Sequence, residues 1–89
     1  MSIQKPSIGR FVTVPAAALK GCEMNGAEAA PAVITRVWSD NCINVRVLLD
    51  GNDTPWKASI PLYQTREDYD RAARVNGMDF GCYWPEHVA

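Results

Sequence analysis

Histidine is nearly absent from this sequence. The one copy in 89 residues, His87, excludes a multi-histidine metal site within one chain and argues against a Ser-His-Asp machine. His87 stands near the C-terminus, where chains fray, and reads as a solvated tail residue. Cysteine is scarce too: Cys22, Cys42 and Cys82 contain no Cys-x-x-Cys pair, so neither a zinc ribbon nor a thioredoxin-type site is available. An odd count suggests buried free thiols first, with a disulfide plus one spare thiol, or an inter-subunit bridge, as alternatives. No apolar run approaches the ~18 residues of a membrane span, and Met1-Ser-Ile-Gln-Lys-Pro-Ser7 lacks the apolar core of a signal peptide. A soluble protein of the cytoplasm is expected, with no membrane partner. Basic excess is missing: nine Lys+Arg face ten Asp+Glu, net −1, which argues against double-stranded DNA as the partner. Glycine-rich phosphate loops are missing as well, and no cofactor is called for.

What is present is a hydrophobic share of 47%, enough for one small core, so residues 1–89 are read as a single β-rich domain. Ile8-Gly-Arg-Phe-Val-Thr-Val14 is rich in β-branched and aromatic types and reads as a strand ending at Pro15, with Gly9 marking a bulge or a close backbone approach. Ala16–Lys20 is long enough for one helical turn, and Asn25-Gly26 for a tight turn. Ala32–Trp38 and Cys42–Leu49 flank Ser39-Asp40-Asn41 and read as an antiparallel hairpin. Alternation places Val33, Thr35 and Val37 on one face of the first arm, and Ile43, Val45, Val47 and Leu49 on one face of the second. This aliphatic face is expected to pack inward. The opposite face carries Ile34, Arg36, Trp38, Asn44, Arg46 and Leu48.

Asp50-Gly-Asn-Asp-Thr-Pro55 is turn chemistry. It falls short of a calcium loop, which needs alternating oxygen ligands and a closing Glu. Trp56–Tyr63 alternates Trp56, Ala58, Ile60 and Leu62 against Lys57, Ser59, Pro61 and Tyr63 and reads as a strand, with Pro61 at an edge or bulge. Thr65-Arg-Glu-Asp68 opens a short helix near residues 66–75. Thr65 caps it, acids fill its first turn, Arg71 and Arg74 lie near its end, and Asn76-Gly77 stops it. Cys82-Tyr-Trp84 is a last short strand. The fold class is mainly β: a small, strongly bent antiparallel sheet or partly open barrel of about five strands, with one helix over an open end.

Lys5-Pro-Ser-Ile-Gly-Arg10, Pro31-Ala-Val-Ile-Thr-Arg-Val-Trp38, Asn44-Val45, Asp50-Gly51, Trp56-Lys-Ala-Ser59 and Tyr83-Trp-Pro-Glu86 occur in an order that resembles a family of small phage and prophage proteins. The matches span most of the chain. It departs from the pattern in the insertion 64–80, and at position 82, where the family has an aromatic residue and this chain has Cys82; no role carried by that aromatic transfers. The resemblance implies a phage genome and a bacterial host cytoplasm, and no particular activity.

A catalytic reading finds little. Cys82 and His87 are close in sequence, but Pro85 intervenes and no third orienting group is evident. The carboxylates Asp50 and Asp53 read as turn chemistry, and Glu67, Asp68 and Asp70 as helix-start electrostatics. No enzyme is expected. A binding reading finds more. Trp38, Trp56 and Trp84 each begin or end an expected strand, hence the rim of a small barrel. Arg36 and Arg46 are expected as cross-strand neighbours on the Trp38 face, with Lys57 and Arg10 adding to the same patch. Like charges facing each other destabilise a bare sheet, a cost offset by an anion between them. Indoles stack on bases, and arginine forks take phosphate bidentately. Alternatively, the tryptophans are core, with the arginines solvated or paired with Asp40 and Glu86.

The candidate ligand-binding residues are therefore Arg36, Trp38, Arg46, Trp56, Lys57 and Trp84, with no catalytic or metal-binding residue. The leading expectation is a non-enzymatic phage-type binding protein acting as an anti-defence sponge for a small phosphorylated nucleotide signal. A chain this short has too little surface to enclose a dinucleotide, so a homo-oligomer with the pocket at its interface is expected. The alternative is a protein–protein adaptor or virion accessory module that binds a phage or host protein.

Overall fold

The computed structural model describes residues 4–22, 24–51 and 53–85. Five strands follow one another: β1 (Phe11–Pro15), β2 (Ala29–Ser39), β3 (Cys42–Val47), β4 (Trp56–Tyr63) and β5 (Cys82–Tyr83). A short 3-10 turn (Ala16–Leu19) follows β1, and one helix, α1 (Arg66–Asn76), precedes β5. The strands close into a barrel in the order β1-β2-β3-β4-β5. The first four pair antiparallel, and β5 also pairs antiparallel with β1, Thr13 opposite Tyr83. Closure follows from parity. With an odd number of strands, an all-antiparallel ring cannot join its ends; at least one pair must run parallel. Here it is β4 with β5, Leu62 opposite Cys82 and Tyr63 opposite Tyr83. A parallel pair needs a crossover of a dozen or more residues, and residues 64–81, which carry α1, supply it. The bent sheet or barrel expected from the sequence is thus closed and mixed, and the segment 64–81 is what permits closure.

The helix forms where the local signals place it. The Thr65 side chain accepts from the Asp68 backbone N–H at 3.0 Å, and Gly77 ends the helix at φ 68°, a left-handed conformation that glycine adopts without penalty. Tyr69, the buried residue of α1, packs against Tyr63 and Tyr83 with ring centroids 5.9 and 5.8 Å apart. Its hydroxyl donates to the Asp79 carbonyl. Burial, then the nearby Asp79 carboxylate, raises the pKa of this phenol.

Inside the barrel lie Val12, Val14, Ala30, Ala32, Ile34, Ile43, Val45, Val47, Ile60 and Leu62, all buried, with Leu19 and Trp84 in the same core. This corrects the expected faces of β2: Ala30, Ala32 and Ile34 point inward, while Val33 is half-buried and Thr35 exposed. The physical reason is a bulge. Ile34 faces Val45 and Arg36 faces Asn44, so Thr35 is an extra residue and the inward set changes parity across it. Val37 is then half-buried against the core, as expected. A second shift makes Trp38 the extra residue between Val37–Ile43 and Ser39–Cys42. The β4 strand also bulges: Ile60 faces Ile43 but Lys57 faces Val45. Three steps on β4 therefore match two on β3, and Trp56 and Ala58 are exposed instead of joining Ile60 and Leu62 inside.

All three cysteines are free, Cys82 buried and the others half-buried. Cys82 donates weakly to the Pro61 carbonyl at 3.4 Å, and burial pushes its thiol up to about 12. At pH 8 a colorimetric thiol reagent is therefore expected to label Cys22 and Cys42 in the folded protein and Cys82 only after denaturation, because the thiolate is the reactive form. Rapid labelling of all three without denaturant would contradict this packing.

Candidate functional site

The outer faces of β2, β3 and β4 carry most of the cationic and aromatic side chains singled out in the sequence. Arg36 is exposed, and its guanidinium lies over the Trp38 ring, 4.2 Å from the centroid. Trp38 is 54% exposed, yet it is fixed: its indole N–H donates to Asn44 Oδ1 at 2.9 Å. The same oxygen accepts the backbone N–H of Ser59 at 2.7 Å. Ser59 sits at φ 52°, the left-handed region that non-glycine residues rarely enter, and its N–H bonds a side chain where a ladder carbonyl would otherwise serve. Asn44, 7% exposed, thus ties the Trp38 bulge of β2 to the Ser59 bulge of β4. Both lone pairs of its oxygen are in use.

Farther along β3, Arg46 is exposed and stands opposite Trp56, which is 55% exposed. One Arg46 guanidinium N–H donates to the Thr54 carbonyl at 3.2 Å. Arg36 faces Asn44 and Arg46 faces Val33, so the two arginines are diagonal neighbours and not directly opposed. Lys57 is half-buried opposite the inward Val45. As the next residue after Trp56 it projects to the other side of the strand and flanks the patch without joining it.

Trp84 belongs elsewhere. It is 2% exposed within the core, and the Arg10 guanidinium covers its ring at 4.4 Å. Its buried indole N–H has no hydrogen-bond partner among the described residues. Arg10 is engaged there through Gln4 Oε1 at 2.9 Å and the Lys5 carbonyl at 3.1 Å, away from the role expected for it beside Arg36 and Arg46. A cleft of about 440 Å³ beside Trp84 is lined by Gln4, Gln64, Thr65, Arg66, Glu67 and Pro85. The Gln64 side-chain amide accepts from the Gln4 backbone N–H and donates to the Gln4 carbonyl, both at 3.0 Å, and the Glu67 carboxylate opposes an anionic ligand.

Among the described residues no group of three or more His, Cys, Asp or Glu side chains is placed to hold a metal ion, and no helix is long and apolar enough to cross a membrane. The carboxylates Asp68 and Asp70 pair within α1 with Arg71 at 3.4 Å and Arg66 at 3.8 Å. Asp50 accepts from Asn25 at 2.7 Å. Arg36 and Arg46 form no ion pair among the described residues; Glu86 and His87, considered above as a partner and a base, lie outside them.

No family model, curated protein or solved structure matches this chain. The functional reading therefore rests on the patch itself. Sequence reasoning placed Asn44 on the Trp38 face but left it out of the candidate binding residues, although it is the residue that organises the patch. A signal was there: an amide between Ile43 and Val45 interrupts a β-branched run in which asparagine is disfavoured.

Proposed function

We propose that this chain is a non-enzymatic binding protein that takes a phosphorylated nucleotide on the outer face of β2–β4. The observation that carries the reading is the immobilised, half-exposed Trp38 ring with the Arg36 guanidinium 4.2 Å away. A ring already held by Asn44 loses little freedom when a base stacks on it. A guanidinium placed over an indole still has N–H groups to offer phosphate oxygens. Arg46 stands opposite Trp56 and adds a second cation and a second exposed ring to the next part of the same face.

In the phage setting that the resemblance implies, this reading takes the form of an anti-defence sponge in the host cytoplasm that sequesters a nucleotide immune signal. Sequestration needs no group at a reacting atom. On an open face it needs a second subunit to close over the ligand, hence a homo-oligomer in the bound state. The adaptor reading is favoured by a different observation: Ile8 and Phe11 are 71% and 49% exposed, and apolar side chains of that size suit a protein partner.

A thermal-shift screen against cyclic and linear nucleotides, with native mass spectrometry on each hit, tests the proposal. A ligand at a hundred times its Kd adds about 2.7 kcal/mol, a rise of roughly 10–20 °C in Tm for a domain this small. Arg36→Ala and Trp38→Ala are each expected to remove the shift while leaving the unliganded Tm nearly unchanged. A flat screen, with protein pull-down lost in the same variants, would replace the nucleotide reading by the adaptor reading.

A further inference from the structure

The ladder registers place four outward residues in one row across four strands. Phe11 on β1 faces Val33 on β2, Val33 faces Arg46 on β3, and Arg46 faces Trp56 on β4. Their neighbours Val12, Ala32, Ile34, Val45 and Val47 are buried, so the row lies on the outside of the barrel. At about 4.8 Å per strand the row is about 14 Å long. Trp38 lies over Asn44, about 7 Å along β3 from Arg46. One face thus presents three separate exposed rings, Phe11, Trp56 and Trp38, with Arg46 between the first two and Arg36 against the third.

We infer that this face binds single-stranded nucleic acid, one base on each ring and the backbone along Arg46 and Arg36. The inference rests on the nucleotide reading above and names its ligand class. A mononucleotide has one base and leaves two rings uncovered. An unpaired strand offers successive bases joined by an anionic backbone, and base stacking on aromatic side chains is tolerant of sequence. Charge agrees: Arg36 and Arg46 have no carboxylate partner among the described residues, where ion pairs form at Lys20, Arg66 and Arg71.

Other occupants fit less well. The strand order closes on itself, so an added peptide strand would find only the stretches of β2 and β4 that run past their shorter neighbours β1 and β5. Its outer face is convex, where a helix would need a groove. A second copy seated symmetrically would set Arg36 and Arg46 against their counterparts with no anion between. A duplex hides its bases, and net −1 gives little attraction to its backbone.

The test is fluorescence anisotropy and tryptophan quenching of the full chain with dTMP, dT3 and dT9 at low salt. The expected result is affinity that rises at least tenfold from dTMP to dT3 and falls only modestly with added salt, as two arginine–phosphate contacts dictate. Phe11→Ala is expected to weaken dT9 at least fivefold and leave dTMP binding unchanged, with Phe11→Tyr close to wild type and thermal melts confirming that both fold. Equal affinity for dTMP and dT9, with no effect of Phe11→Ala, would overturn the strand inference and leave the nucleotide reading standing. No binding of any of the three, beside nucleotide hits in the thermal screen, would likewise overturn the strand alone; no binding in either experiment would overturn both.

Discussion

Trp84→Ala is expected to lower stability by about 3–5 kcal/mol, a large part of the roughly 5–15 kcal/mol that holds a small domain folded. The indole is 2% exposed, sits in the same core as Leu19 and Leu62, and is roofed by Arg10. Truncation leaves a cavity at the end of a barrel whose strands have no spare length to collapse into it; β5 pairs only Cys82 and Tyr83 with β4. Trp84→Phe is expected to cost much less. It keeps most of the ring and removes an indole N–H that is buried without a partner among the described residues, a group whose desolvation costs stability when nothing compensates it. Urea titrations of the two variants check the difference. If Trp84→Ala melts within a degree or two of wild type, the barrel end is not packed as described. Trp38→Ala is the contrast, because that ring is already half in water; its expected stability change is under about 1 kcal/mol, and its effect falls on binding.

Asn44→Ala is expected to act on both stability and binding. It removes the acceptor of two hydrogen bonds, from Trp38 Nε1 and from the Ser59 backbone. At about 0.5–1.5 kcal/mol each, the loss is about 1–3 kcal/mol, or roughly 5–20 °C in Tm. The same change frees the Trp38 ring, so nucleotide affinity should fall although no contact residue has been altered. Asn44→Asp keeps an oxygen acceptor at that position and should recover part of the stability, while its carboxylate beside the Arg36–Trp38 pair keeps affinity for an anionic nucleotide low. The informative comparison is ligand affinity at a temperature where all three proteins are folded. If Asn44→Ala loses stability but binds as wild type, the indole needs no anchor, and the platform is not organised by β3.

The elements were legible because their causes are local. The β-branched runs, Asn25-Gly26, Thr65 three residues before Asp68, and Gly77 after Asn76 each act within a few residues, and strands, turn and capped helix follow where those signals lie. Arg36 with Trp38 was legible for the same reason, since residues two apart on a strand share a face.

Sequence by itself therefore determined a small β-rich barrel with one capped helix, and a cationic, aromatic outer arm. Tertiary structure decided the rest. Alternation assumes an unbroken period of two, and the extra residues at Thr35 and Trp38 break it, so the inward set of β2 became Ala30, Ala32 and Ile34. Such bulges are dictated by the curvature a five-strand ring demands, which no window of one strand contains. Closure likewise turned residues 64–81 into a crossover, sent Trp84 into the core beneath Arg10, and brought Phe11 into line with Trp56. These placements depend on which strands become neighbours, and that is settled only when distant segments pair.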